Sequence, residues 1–351
     1  MLHESLKQKL IRYAHTSRGY GHPPRVRLES PKTVLGQKIY PRKTMSPSID
    51  WLRKIKGKVL HNEPLSKHTS ICIGGPADIF ILPRDVEDLK TICRHKGGMP
   101  LFVLGEGTNL LVGDGGIRGI VVCLKEGFKS IQGPEFVRSA DGAESAVLKA
   151  GSGVKMSYLA KYAARFSLAG IEGLAGVPGS LGGALVMNAG AEGFEIGDAV
   201  RSVTRMTGDG KIQTLHRGEI EFHYRKTVFP PGYGIIVEAE LELQKGDAKA
   251  IYENIDRYLS RRTVNQPLTL PNSGSVFKNP PGDKAGRLIE AAGLKGFGIG
   301  AASVSVKHAN FIVNKGNARS GDVVRLIEHV RDVVREKTGT ELETEIIIVD
   351  G

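Results

Sequence analysis

Three cysteines and one tryptophan are all that 351 residues hold, and aromatic residues make up only 6% of the chain. Cys72, Cys93 and Cys123 form no CxxC pair and have no histidine at metal-ligand spacing. That excludes a disulfide framework and a cysteine-based metal site. Cys72 and Cys123 lie in apolar runs and Cys93 on the apolar face of a helix, so all three are expected as buried free thiols of a reducing compartment. The histidines, among them His68, His216, His223 and His308, form no i,i+4 pair, so no metal ion is expected. No apolar run reaches 18 residues, which excludes a membrane-spanning helix. The N-terminus has no apolar core of a secretory signal. No Walker A word and no GxGxxG opening a helix occur, so the two commonest phosphate-binding signatures are missing.

Acidic residues are scarce in one place only. Residues 1–58 carry a net charge of +11, and the rest of the chain carries +1 of the total +12. The high isoelectric point therefore belongs to a proline-bearing arm with few apolar residues, and a near-neutral core does not suit nucleic acid. Residues 1–50 are expected as a basic, disordered extension with one short helix around Leu2, Leu6 and Leu10.

Glycine is abundant, and it is clustered. Residues 170–193 read GIEGLAGVPGSLGGALVMNAGAEG, with eight glycines and Pro178 interleaved with Ile171, Leu174, Val177, Leu181, Leu185, Val186 and Met187. A flexible linker has no use for so many apolar residues. Glycine lets backbone come close to a ligand, and rows of freed N–H groups hold phosphate oxygens. A second such stretch, residues 100–122, breaks a strand at Gly105, Glu106 and Gly107 and resumes it at Leu110. Two such loops suit a pyrophosphate.

The remaining periodicities predict a helix over 85–96 capped by Asp85, strands over 71–82, 101–104 and 120–124, and a helix over 154–169 closed by Gly170. Strands follow over 200–206 and 235–243, and a helix over 248–262. The last third is expected to hold a helix over 284–292, strands over 303–306 and 311–313, a helix over 320–337 capped by Ser320, and a strand over 342–349.

Seven words of this chain occur in family order: LGEGTNLLV, GLAGVPGSLGGALVMNAGAEG, FHYRKTVF, GSVFKNP, AGRLIEAAGLKG, HANFIVN and LETE. With weaker similarity upstream, they resemble the MurB family, UDP-N-acetylenolpyruvoylglucosamine reductase, from about His68 to Glu345. The short spacing between Arg225 and Ser275 resembles its type II branch. The resemblance implies an α+β fold. A two-part FAD-binding domain of the PCMH flavoprotein type would cover 51–125 and 126–246, and a C-terminal α+β substrate-binding domain would cover 247–351.

It also implies a cytoplasmic enzyme, expected as a monomer. The enzyme would use FAD and NADPH to reduce UDP-N-acetylglucosamine enolpyruvate to UDP-N-acetylmuramate for peptidoglycan. Rival readings are another FAD oxidoreductase of the same fold and a non-catalytic nucleotide-sugar binder. The absence of a tethering His or Cys in the Gly loops disfavours the first. The retention of three reactive positions disfavours the second.

Those positions, carried over by resemblance, are Arg225, Ser275 and Glu345. Arg225 would stabilise charge on the substrate carboxylate through a forked pair of hydrogen bonds. It is expected on a strand, with Tyr224 and Lys226 on the opposite face. Ser275 would donate a proton to the carbon next to the carboxylate. Glu345, favoured over Glu343 on the same face, would bind that carboxylate with Arg225 and carry a raised pKa. Cofactor contacts fall on Gly105, Glu106, Gly107, Thr108, Asn109 and Leu110 of the first loop. In the second they fall on Gly173, Pro178, Gly179, Ser180, Gly182, Gly183, Asn188, Ala189 and Gly190. Tyr224, Lys278 and Asn279 would hold the substrate. Relatives carry Lys shortly before QP where this chain has Asn265, with Arg262 as a candidate replacement.

Overall fold

The computed structural model describes residues 49–138, 144–232 and 234–350. The basic arm expected over 1–50 lies almost wholly outside the described residues.

Strand Lys58–Pro64 pairs antiparallel with Pro76–Leu82, which runs parallel to Ile117–Cys123, itself parallel to Leu101–Leu104. Helix Val86–His95 covers this sheet. Asp85 caps it by accepting from the Asp88 N–H, and Leu89, Ile92 and Cys93 are buried. Trp51 and Leu52 pack into the same core.

The second sheet is antiparallel, in the order Ile212–His216, Val200–Thr207, Gly234–Lys245, Glu144–Gly151, Ile131–Arg138. Its last two strands had no sequence signature. Glu144–Gly151 is buried on both faces and does not alternate. Ile131–Arg138 contains Gly133 and Pro134, which mark a loop in sequence and are tolerated here because the strand is an edge. Helices Met156–Arg165 and Leu181–Met187 pack on this sheet, with the long helix Ala248–Asn265 adding Ile251 and Ile255 to the same core.

The last sheet runs Asn272–Ser275, Phe311–Asn314, Ala302–Val304, Gly298–Ile299, all antiparallel, under helices Ala285–Ala291 and Ser320–Thr338. The chain then returns to its beginning. Ile347–Val349 pairs parallel with Leu110–Val112, straight after the first Gly-rich loop.

The strand expected over 71–82 begins only at Pro76, and other expectations need correction too. The helix expected over 154–169 stops at Arg165, because Ser167 takes φ +57° and turns Leu168–Ala169 out to pair with Gly234–Lys245; Gly170 is not its cap. Ser320 is the first helical residue rather than the cap. Its hydroxyl accepts from Asp114 N–H, and Asp322 meets the Arg319 N–H instead. Cys72 is exposed, since its φ of +58° turns the side chain out of the apolar run. The final strand is shorter than 342–349, because Leu342–Glu345 crosses to the strand bearing Ser275 and makes only a Phe277–Thr344 bridge there. Arg225 lies in a turn and not on a strand.

Candidate active site

The two Gly-rich loops face one another. Thr108 Oγ1 donates to the Pro178 carbonyl at 3.0 Å. A Cβ on Gly105 would stand 3.0 Å from Ser180 Oγ, and one on Gly179 would stand 3.2 Å from Thr108 Oγ1. Gly107 has φ +64° and approaches the His68 carbonyl so closely that a Cβ would lie 2.0 Å from it; only glycine fits. Ser152 borders the second loop, where a Gly182 Cβ would meet its Cβ at 2.9 Å. Its buried hydroxyl has no hydrogen-bond partner. An orphan hydroxyl beside the bare backbone of the second loop fits the diphosphate cofactor that the sequence implies.

The first loop also places the far end of the chain. Asn109 Nδ2 donates to the Glu345 carbonyl at 3.0 Å, and the Ile347 N–H returns a bond to Asn109 O at 3.0 Å. Ser273 Oγ bonds the Leu110 carbonyl at 3.1 Å, and Ser70 Oγ bonds the Asn272 carbonyl at 2.6 Å. Strand Asn272–Ser275 is thus hung from the same loop. The Glu345 N–H then donates to the Val276 carbonyl at 2.8 Å, one residue beyond Ser275.

Arg225 reaches this point from a hairpin, Glu221–His223 and Lys226–Val228, whose turn it occupies with φ +55°. A left-handed arginine is uncommon, and such conformations persist where the surroundings over-determine them. Here Asn188, fully buried at the end of helix Leu181–Met187, donates to the His223 carbonyl and to Glu195 and accepts from Gly197 N–H. Thr227 Oγ1 donates to the Leu185 carbonyl at 2.6 Å. The helix therefore clamps the hairpin on both sides of the turn. The Asn188 side chain makes that clamp.

The Arg225 guanidinium donates through Nε to Glu345 Oε1 and through a terminal nitrogen to the Gly190 carbonyl, both at 2.9 Å. A Cβ on Gly190 would lie 3.0 Å from the guanidinium, so this glycine makes room for it. The Tyr224 ring lies beneath, 4.9 Å from the guanidinium carbon, on the same side and not the opposite one. Burial raises the Glu345 pKa above the ordinary carboxylate value, with Arg225 and Lys278 opposing the shift. Lys278 pairs with the exposed Glu343 at 2.5 Å. Asn279 caps helix Ala285–Ala291 by accepting from Ala285 N–H, and its own N–H reaches Tyr224 Oη at 3.4 Å.

The fold brings Arg225, Tyr224, Glu345, Lys278 and Asn279 together. Ser275 lines an adjoining cavity of about 430 Å³ with Asn279, His308 and Asn310. Asn310 had no assigned role in the sequence, although it stands in the word HANFIVN. Its side chain accepts from Phe277 N–H at 2.9 Å and donates to Phe277 O at 2.8 Å, which fixes the run carrying Ser275. No group of three metal-ligating side chains occurs among the described residues.

Two facing glycine loops, a bare-backbone cradle and an arginine–carboxylate pair define a flavoprotein oxidoreductase. Residues 77–216 accordingly match the FAD binding domain, and residues 266–349 match the C-terminal domain of UDP-N-acetylenolpyruvoylglucosamine reductase. The chain is 43% identical over 309 residues to UDP-N-acetylenolpyruvoylglucosamine reductase 2 of Symbiobacterium thermophilum, covering 87% of this chain and 97% of that one. It is 44% identical over 301 residues to the reductase of Heliobacterium modesticaldum, covering 85% and 92%. The solved structure of the Thermus caldophilus enzyme superimposes with a TM-score of 0.70 at 34% identity, covering 84% of this chain and 99% of that one. The chain belongs to the UDP-N-acetylenolpyruvoylglucosamine reductase family.

Proposed function

We propose that the protein reduces UDP-N-acetylglucosamine enolpyruvate to UDP-N-acetylmuramate at the expense of NADPH, as a monomer in the cytoplasm, for peptidoglycan synthesis. The observation that carries this reading is the Arg225–Glu345 pair at 2.9 Å, held beside the Ser275 strand and beneath two facing glycine loops. Among the described residues no helix is long and apolar enough to cross a membrane.

FAD, when bound between the loops at 105–110 and 173–190, supplies a hydride relay from NADPH to the enolpyruvyl double bond. The chain's own residues do the rest. As hydride reaches the terminal carbon, negative charge moves onto the substrate carboxylate. Arg225 is preorganised by Gly190 and the Asn188 clamp, so it meets that charge without rearranging. Glu345 would repel a second carboxylate if ionised, and its raised pKa favours the protonated form that donates a hydrogen bond instead. Ser275 delivers a proton from Oγ to the carbon next to the carboxylate. Tyr224, Lys278 and Asn279 hold the nucleotide-sugar, and Asn265 leaves to them a phosphate contact made by Lys in relatives. Arg262, the candidate replacement, donates to the Gly176 carbonyl and to Gln266 Oε1. The FAD-binding part divides at about 126 and the substrate part begins at about 247.

The test is the oxidation of NADPH with and without UDP-N-acetylglucosamine enolpyruvate. Oxidation that depends on the UDP-sugar, by a yellow protein that releases FAD and not FMN on denaturation, is expected. Colour that stays with the precipitated protein, or turnover indifferent to the UDP-sugar, rejects the reading.

A further inference from the structure

The hairpin that carries Arg225 is a ribbon of two short strands, Glu221–His223 and Lys226–Val228. Among the described residues these strands pair with each other and with no third strand. A lone two-stranded ribbon is marginal by itself, so what holds its feet decides where its tip points. A ribbon that joins no sheet also finds no ladder donor for the carbonyls at its feet.

Each foot meets an arginine. Before the ribbon, Arg217 Nε donates to the Gly197 carbonyl at 3.2 Å, and its Nη1 donates to the Ile220 carbonyl at 3.1 Å. The same guanidinium lies over the Phe222 ring, 4.6 Å from its centroid. Gly197 touches that ring too, since a Cβ there would stand 2.6 Å from it. The Gly197 N–H donates to Asn188 Oδ1 at 3.0 Å, so this foot and the Asn188 clamp share one residue.

After the ribbon the chain reads Phe229–Pro230–Pro231–Gly232. Proline has no N–H, so this stretch cannot join a ladder, and its carbonyls need a donor from elsewhere. Arg205, buried on strand Val200–Thr207, supplies it. Its Nη1 donates to the Pro230 carbonyl at 3.1 Å and to the Gly232 carbonyl at 3.4 Å, and its Nη2 donates to the Pro231 carbonyl at 3.4 Å. Nε donates to Gln213 Oε1 at 3.0 Å. A Cβ on Gly234 would lie 2.7 Å from Arg205 Cδ, so glycine there leaves this side chain its room. The rigid donor fork of arginine holds several carbonyls at once, which the single ammonium of lysine does not.

We propose that Arg205 and Arg217 are positioning residues for Arg225: they fix the two feet of the hairpin and so set the place of its guanidinium against the substrate carboxylate. This rests on the reading of Arg225 as the group that meets that carboxylate. Ile220 and Arg225 are five residues apart. That is roughly 16 Å of extended strand, so a tilt of about 4° at the feet carries the tip about 1 Å. Such a misplacement can cost about 10² in rate. The Asn188 bond to the His223 carbonyl holds the ribbon near its tip and limits the swing. Loss of one foot is therefore expected to cost about tenfold.

The experiment follows both half-reactions by stopped flow, at saturating UDP-N-acetylglucosamine enolpyruvate and at saturating NADPH. The variants are Arg205→Met, Arg217→Met, Arg225→Ala and the two double variants with Arg225→Ala. Each methionine variant is expected to slow flavin reoxidation by the UDP-sugar about tenfold and to leave flavin reduction by NADPH within about twofold. In the Arg225→Ala background the same substitutions are expected to change reoxidation by less than about twofold, because the group they place is gone. A residue that merely holds the fold together keeps its full effect in that background, and that result overturns the proposal. Reoxidation within about twofold of wild type in either methionine variant overturns it too, as does equal slowing of the two half-reactions.

Should Arg205→Met not fold, Arg217→Met decides alone, because Arg217 is exposed and its loss leaves no buried hole. An Arg225→Ala variant that reoxidises at the wild-type rate overturns the functional reading as well. A slow Arg225→Ala beside a normal Arg205→Met or Arg217→Met overturns this inference alone.

Discussion

Glu345 and Glu343 stand two residues apart near the C-terminus, and each meets a cation, Arg225 at 2.9 Å and Lys278 at 2.5 Å. By distance the outer pair is the shorter. Yet the Glu343 side chain is 73% exposed, while Arg225 and Glu345 are 19% and 17% exposed. Water screens the outer pair, so its contribution is expected to be small. The inner pair is short of water, so the Arg225 charge acts on Glu345 and on a ligand at low dielectric. Burial makes one glutamate a chemical group and leaves the other a surface ion.

The largest effect should come from beside the inner pair. Ser275→Ala should slow flavin reoxidation by the UDP-sugar by about 10²–10⁴. Flavin reduction by NADPH should hardly change, since it needs no proton from this hydroxyl. Stopped-flow measurement of the two half-reactions separates them, and Ser275→Cys should recover part of the loss. Reoxidation at the wild-type rate in the alanine variant would give the proton to another donor.

Arg225→Ala and Glu345→Gln should follow, with reoxidation slower by roughly 10²–10³ and reduction spared. Equal slowing of both half-reactions would make the inner pair structural. Because burial raises the Glu345 pKa, proton binding there is retained above the ordinary carboxylate range. Its contribution to stability is complete below the unfolded-state value and is lost as pH rises through the folded one. The reoxidation rate should fall over the same window if the protonated acid is the working form. A descending limb that survives in Glu345→Gln would assign it to another group.

Glu343→Ala is the direct contrast. It removes the outer pair only, so kcat should stay unchanged and the KM for UDP-sugar should move by about fivefold at most, matching about 1 kcal/mol for an exposed pair. A kcat loss like that of Glu345→Gln would erase the distinction between the pairs. Deleting residues 1–48 should have the smallest effect, with kcat/KM within about twofold. The net +11 arm precedes the family words, and Trp51 and Leu52 already belong to the folded core. A truncated protein that folds and loses most of its kcat/KM would bring the arm into the site.

Much of the fold was legible where one physical signal dominated. Asp85 and the Leu89–Ile92–Cys93 stripe marked a helix, and the alternation at Ile235, Val237, Ala239, Leu241 and Leu243 marked a half-buried strand. Glu144–Gly151 was invisible because both its faces are buried, so period-two alternation has no cause to appear. Arg225 was legible as a residue and not as a conformation. Its strand-like neighbours favour extended backbone, and only the Asn188 and Thr227 clamp forces the left-handed turn.

The sequence by itself determined the local chemistry: where backbone is bare, where helices begin, which residue types can meet a carboxylate, and that the positive charge belongs to the arm. Those properties depend on neighbours within a few residues, so order along the chain is enough. The tertiary structure decided which of two glutamates is buried, that Arg225 and Tyr224 lie together on one side of a turn, and that Asn188 serves the hairpin. It also decided that Arg205 and Arg217 meet the carbonyls at the two feet of that hairpin. Burial and pairing across 120 residues, as between Arg225 and Glu345, are properties of three-dimensional packing, and no local pattern encodes them.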